Sequence, residues 1–422
     1  MTIIIMLVLF TIFLVTGAPL AFAMGLSGVI ALIWQGNMPL VIMPSAWYNS
    51  LDSFSLLAVP LFVFAGALMN VAGIAERIIG FTLSLLGHVK GGLAQANIAT
   101  NSFMAAISGS TAADVAAVGS VMIPAMTRNG YSPQFGVSVT ACASMLASIF
   151  PPSIFMVIYG SLTGLSTSKL FVAGIIPGLL AATGMMVLSY FLAPRHGGRV
   201  LAKADWQTRW LRLREAAPAI VMPVIILGGI FSGVFTPTEA GAVAVLYGLL
   251  IGCAFRRLHL RMLWHVVLDA AVLTGGALVI LGGAAVFGFV LIRGGAADIL
   301  LGGLLAISQD PAIVRLIILL FLFLLGLVVE PVPGLILVMP ILEPVIKAMH
   351  YDPYQFGVSV IMMLILGAVH PPVGMLGMIA SRIADVPFMS TIGATLPFMA
   401  LWIVLILAVA FIPALTTWLP YM

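Results

Sequence analysis

Residues 131–153 read YSPQFGVSVTACASMLASIFPPS, and residues 351–373 read YDPYQFGVSVIMMLILGAVHPPV. QFGVSV (134–139 and 355–360) follows a proline in each stretch and runs toward Pro-Pro. A proline opening a helix is favoured, because the N–H it lacks would have no intrahelical partner there. Pro-Pro at the far end breaks a helix, since proline removes a donor and clashes with the carbonyl four residues back. One broken helix is therefore written twice. The landmarks around it recur 220 residues on: Pro124 with Pro344, Tyr131 with Tyr351, Pro133 with Pro353, Pro151–Pro152 with Pro371–Pro372, and Pro177 with Pro397. QFGVSV itself is offset by 221, so the register shifts by one residue inside the unit. Proline costs about 3 kcal/mol or more in a helix interior, so this register points to a duplicated unit.

Of the 422 residues, 62% are hydrophobic and 7% charged, with mean hydropathy +1.23. Soluble domains carry about 25% charged residues. Apolar runs near the length of a bilayer crossing recur near 2–17, 19–34, 54–73, 135–163 and 168–194, and again near 217–234, 237–255, 270–292, 354–383 and 390–418. The fold class expected is an all-α polytopic membrane protein whose partner in bulk is the lipid bilayer. The net charge of +4 lies in short loops, which excludes a nucleic-acid role. Cys142 and Cys253 sit inside apolar runs and read as small core residues. The first run lacks a basic segment ahead of it and is followed at once by another, so it reads as a membrane helix rather than a signal peptide.

Residues 93–127 and 312–346 differ from the other spans. Each has two apolar arms of near 15 residues around a helix-breaking tip, AAISGSTAAD in one and VVEPVPG in the other. They read as re-entrant hairpins, tolerated at membrane depth only inside protein or beside a cavity. Basic residues orient the chain. Placing the loops of residues 195–216 and FRRLHLR in the cytoplasm puts thirteen of the seventeen Lys and Arg inside and the N-terminus outside. The first unit then has five full crossings, so the second starts from the other face. The expected organisation is a first inverted repeat at 1–194, a basic cytoplasmic connector at 195–216 and a second inverted repeat at 217–422. Inverted repeats with broken helices are the architecture of secondary transporters, whose site lies where the repeats meet.

The breaks are where chemistry is expected. At Ser108–Ser110 and Ala147–Ser153, serine hydroxyls and freed carbonyls make an oxygen shell suited to a small cation. The SGS tip also suits close helix packing. Asp114 just past the tip is an intramembrane carboxylate, either on the transport path or capping its helix. Ser153 follows the first Pro-Pro. Glu330 stands at the second tip and His370 before the second Pro-Pro. Glu239 in FTPTEAGA reads as a helix cap, Trp206 and Trp210 as interfacial anchors, and IAERIIGFTLSLLGHVKGG (74–92) as an amphipathic stretch on the cytoplasmic surface. No G-x-x-x-x-G-K-[ST], H-E-x-x-H or G-x-S-x-G occurs, which argues against ATP hydrolysis and against metalloprotease or α/β-hydrolase chemistry.

SGSTAADVAAVGSVMIPAM, PPSIFMVIYG, KLFVAGIIPG, FTPTEAGAVAV and HPPVG together resemble the large membrane subunit of tripartite ATP-independent periplasmic (TRAP) transporters, over essentially the whole chain. The resemblance implies an ion-transporter-superfamily fold with a scaffold and an elevator-type transport domain in the bacterial inner membrane. It implies Na+-driven uptake of a small organic anion, with a small four-helix membrane subunit and a periplasmic substrate-binding protein as partners. Carried over by position, one Na+ site would use Ser108, Ser110, Ala147, Phe150 and Pro152, and the other Gly326, Gly367, His370 and Val373. The chain departs from the family pattern at His370, usually Thr, at Ala147, usually Gly, and at the EPVPG tip, usually Asp and small polar residues. A single-component Na+- or H+-coupled organic-anion transporter of the same superfamily is the alternative.

Overall fold

The computed structural model describes residues 1–36, 39 and 41–421, and among these there are helices and no strands. The first half runs α1 Thr2–Val15, α2 Leu20–Gln35, α3 Ile42–Leu51, α4 Ala58–Val71, α5 Ile74–Leu86, α6 Gly92–Ser108, α7 Thr111–Arg128, α8 Pro133–Ser144, α9 Ile154–Thr163 and α10 Thr167–Leu192. The second half runs α11 Trp206–Phe231, α12 Pro237–Ala254, α13 Leu260–Arg293, α14 Ala296–Ile307, α15 Pro311–Gly326, α16 Pro331–Ala348, α17 Pro353–Gly367, α18 Met375–Ala384 and α19 Ile392–Phe411, with a last short turn, α20 Ala414–Thr417. Shifting α7 by 220 gives 331–348, the bounds of α16. The same shift carries α5, α6, α8 and α9 to within two residues of the starts of α14, α15, α17 and α18. It carries α3 and α4 together into the single 34-residue helix α13.

Among the described residues, seven helices are long and apolar enough to cross a membrane, or eight if α14 and α15 count as one span bent by 118°. Fewer unbroken helices reach that length than the sequence has apolar runs. α1 and α2 are apolar but only 14 and 16 residues long. The stretches 135–163 and 354–383 are each two helices parted at Pro-Pro. The hairpin arms are longer than the near-15 residues expected, because the breaks shrink to Gly109–Ser110 and Leu327–Glu330. Pro331 and Pro333 fall in the first turn of α16, where proline is tolerated, so α16 reaches 18 residues.

The repeated stretch forms the centre of the molecule. Every residue of Phe135–Ser144 in α8 and of Tyr354–Gly367 in α17 is buried, as a helix apolar on all sides requires. Ser132 and Asp352 cap these helices by accepting the N–H of Phe135 and Gln355. Phe135 stacks on Tyr131 and Phe356 on Tyr351, both at 7° between ring planes. The one-residue shift falls at Tyr354, which meets Tyr421 edge-on at 5.9 Å. The halves are tied across the core by the Ser138 and Thr395 hydroxyls at 2.8 Å. Glu239 closes a capping box with Thr236, as its sequence suggests. Cys142 is buried, but Cys253 is exposed, because α12 turns that face outward. An apolar residue facing lipid gains nothing from burial in protein, so apolar neighbours in sequence do not place it in the core.

Candidate functional site

The tip between α6 and α7 is a left-handed turn. Gly109 has φ +60°, and a Cβ there would strike the carbonyl oxygen of Pro152. The hairpin tip therefore lies directly on the Pro-Pro break, and only glycine allows the approach. The Ser108 hydroxyl donates to Asp114 Oδ1 at 2.6 Å and accepts the Ser110 N–H at 3.2 Å. Ser110 caps α7, its hydroxyl facing the Ala113 N–H at 3.5 Å. Asp114 is fully buried, and its Oδ2 has no hydrogen-bond partner among the described residues. Its side chain thus serves Ser108 rather than capping the helix. On the other side of the contact, Ser153 caps α9 and donates to the Ser148 carbonyl at 2.6 Å. The described residues donate no hydrogen bond to the carbonyls of Ala147, Phe150 or Pro152. Of these oxygens the Pro152 carbonyl is the one placed against the tip, and oxygen is the ligand type that hard cations take.

The second pair of breaks is packed on glycine, and there the carbonyls of Gly326, His370 and Val373 accept no hydrogen bond from the described residues, whereas others are bonded. Gly326 and Gly367 pack so closely that a Cβ on Gly367 would overlap the Gly326 backbone, and one on Gly326 would lie 2.6 Å from the Leu364 carbonyl. The Gly367 carbonyl already accepts the His370 N–H at 3.2 Å, and the Ala368 carbonyl accepts the Leu376 N–H at 2.8 Å. His370 Nδ1 bonds the neighbouring Pro371 carbonyl, and its ring meets Phe323 edge-on at 6.0 Å. Val373 is exposed. At the tip, Pro331 and Pro333 lack N–H groups and Gly334 donates to the Glu330 carbonyl, so of the first turn only Val332 keeps a free donor.

Both halves open onto one cavity of about 290 Å³. The first turns of α7 (Thr111, Ala112), α9 (Ile154, Phe155), α16 (Pro331–Pro333) and α18 (Met375) line it, with Ser110 and Glu330 at the two tips. Val59 and Val63 of α4 and Thr274–Ile280 of α13 form the facing wall. Of the residues singled out in the sequence, Ser110 and Glu330 reach the cavity, whereas Asp114 and Ser153 lie behind its surface. Sequence reading missed the residues just after each break. The signal was available, since a helix that restarts at depth must aim its unpaired N–H groups somewhere. Nothing in the sequence marked the α4–α13 wall.

The profile of the family described as "Tripartite ATP-independent periplasmic transporter, DctM component" matches residues 7–415. The chain belongs to this family. The permease is 36% identical to the sialic acid TRAP transporter large permease protein SiaM of Vibrio cholerae, over 96% of each chain. It is 34% identical to the 2,3-diketo-L-gulonate TRAP transporter large permease protein YiaN of Escherichia coli, over 94% of each. In fold it resembles the YdaH transporter of Alcanivorax borkumensis, with TM-score 0.64 at 14% identity over 90% of this chain and 89% of that one. The permease is thus a multi-pass transporter subunit, not an enzyme.

Proposed function

We propose that the permease carries a small organic acid across the bacterial inner membrane by Na+ symport, as the large subunit of a three-part system. The observation that carries this reading is the cavity on which four helix N-termini converge, two from each half. Helix N-termini hold roughly half a positive charge each, and here α7 and α9 offer the free N–H groups of their first two residues while α16 offers only that of Val332. They suit a carboxylate in a cavity that no Lys or Arg lines among the described residues. The coupling ion would sit at the first break, on Ser108, Ser110 and the carbonyls of Ala147, Phe150 and Pro152, with Asp114 positioning Ser108. A second ion at Gly326, Gly367, His370 and Val373 would have to displace the His370 N–H from the Gly367 carbonyl, while the carbonyls of Gly326, His370 and Val373 carry no hydrogen bond from the described residues. In this reading residues 1–194 and 217–422 are inverted repeats joined by a cytoplasmic connector at 195–216. The N-terminus is periplasmic, and the tips and breaks move together as the transport domain of an elevator. Family membership supplies the partners: a small membrane subunit and a periplasmic substrate-binding protein that delivers the acid.

The test is uptake of candidate organic acids into proteoliposomes holding the permease and small subunit, with the binding protein outside. Na+ is replaced by K+ or choline at fixed potential. Uptake only in Na+ and only with binding protein is expected. Equal uptake in K+ would refute sodium coupling, and uptake without the binding protein would favour a single-component transporter.

A further inference from the structure

A second chamber, of about 240 Å³, lies further along the helices that line the first, and unlike the two apolar hollows beside α1 and α3 its lining is partly polar. Asn49 and Ser50 of α3, Ser53 and Ser161 of α9 contribute amide and hydroxyl groups, with Ala284 of α13 and Pro340 of α16 opposite. Four chain segments place the two spaces in the same order. Along α9, Phe155 lines the cavity and Ser161 the chamber; along α16, Pro333 lines the cavity and Pro340 the chamber. Along α13, Ile280 precedes Leu281 and Ala284 in the same sense, and Ser53 stands on the chamber side of Val59 and Val63. Six residues of helix from Phe155 to Ser161 span about 9 Å, so the chamber lies roughly one substrate length beyond the cavity. It lies toward the C-terminal ends of α9 and α16, away from the basic connector. The Ser161 hydroxyl donates to Ser53 Oγ at 3.2 Å, joining α9 to the turn before α4.

We propose that this chamber is an outer station on the transport path, a second and weaker subsite for the carboxylate of the substrate, with Ser53–Ser161 as the latch between station and cavity. The proposal rests on the transporter reading and adds a site to it. Hydroxyl and amide groups with no acidic side chain among the described lining residues can donate to a passing carboxylate while holding it loosely. Loose binding is what a station on a path requires.

The test is thiol labelling of the complete three-part transporter in spheroplasts. The exposed Cys253 is first changed by Cys253→Ser, while Cys142 is buried and stays. Ser161→Cys and, separately, Ser53→Cys are treated from the periplasmic side with an impermeant sulfonated methanethiosulfonate and with its quaternary-ammonium analogue. Both positions should be modified at least tenfold faster than Val404→Cys on the exposed face of α19. The anionic reagent should be favoured several-fold over its preference at an unhindered cysteine, and modification should cut uptake at least tenfold. Labelling no faster than at Val404→Cys in both variants, or preference for the cationic reagent, overturns the proposal. Loss of sodium dependence with labelling intact would count against the coupling assignment and leave the station standing.

Discussion

The two helix breaks of the first half and the two of the second start from one repeated pattern and end in different chemistry. At the first, a glycine tip lies against Pro152 and the carbonyls around it have no hydrogen-bond donor. At the second, Val329 occupies the position equivalent to Gly109, glycines stand on the facing helices, and the Gly367 and Ala368 carbonyls are internally bonded while those of Gly326, His370 and Val373 accept no hydrogen bond from the described residues. Ser108 and Ser110 correspond to Val328 and Glu330. The breaks fall at matching positions in the two halves, and the side chains beside them differ. A carbonyl already bonded at a break must give up that bond to hold a ligand, and an unbonded one need not.

The largest expected effect separates the tips directly. Gly109→Val puts a branched side chain on a left-handed residue, costing about 1–2 kcal/mol before any clash, and drives it into Pro152. Uptake should fall to background and the detergent-solubilised protein should melt earlier, while Val329→Ala changes either little. Normal uptake in Gly109→Val would dissolve the contrast.

Next comes Ser110→Ala, which removes a helix cap worth about 1 kcal/mol and one hydroxyl of the proposed ion shell. The Na+ half-saturation should rise roughly tenfold, equivalent to about 1.4 kcal/mol, with a smaller change in substrate affinity at saturating Na+. His370→Ala should shift it by much less. A larger shift from His370→Ala would move the ion to the second half.

Glu330→Gln sharpens the electrostatic difference between the tips. A carboxylate about 8 Å from an anionic substrate at an effective dielectric of 20 opposes it by about 2 kcal/mol. Its removal should improve relative uptake of dianions over monoanions, measured by competition. An unchanged ratio would place the substrate's charge at the first tip alone.

The smallest effect is on the connector. His196 stacks on Phe135 at 4.5 Å, and its Nδ1 meets the Ser132 hydroxyl at 3.2 Å. Burial first, and then the Arg195 charge, hold its imidazole below the usual 6.5. A histidine with a lowered folded pKa is neutral in the fold, so the unfolded chain takes up the proton first. Stability should then decline modestly as pH falls through about 6.5. The equivalent residue of the second half is Thr416, which does not titrate. His196→Phe should flatten the pH dependence of the melting temperature; an unaltered slope would assign it elsewhere.

Much of this was legible in the chain itself. QFGVSV between proline and Pro-Pro gave the repeat, because helix starts and breaks are local events set by a missing N–H and a steric clash. Ser110 and Glu330 could be singled out because polar groups in an apolar run have few uses. Span counts were less legible: α1 and α2 fall short, and α13 runs 34 residues as one helix where the first half divides into α3 and α4. Hydropathy reports composition and not where a neighbouring helix lets the chain turn. Cys253 shows the same limit, since lipid and protein interior select the same side chains.

Only the tertiary structure decided which breaks meet, that Asp114 supports Ser108 behind the cavity, and that α4 and α13 supply the opposing wall. Those relations join residues far apart in the chain through packing, and no local rule of helix chemistry encodes which of several equally apolar surfaces will touch. The sequence by itself determined the class and the points of rupture, because each depends on a residue and its near neighbours. Which rupture stays open to a ligand is a property of what packs against it.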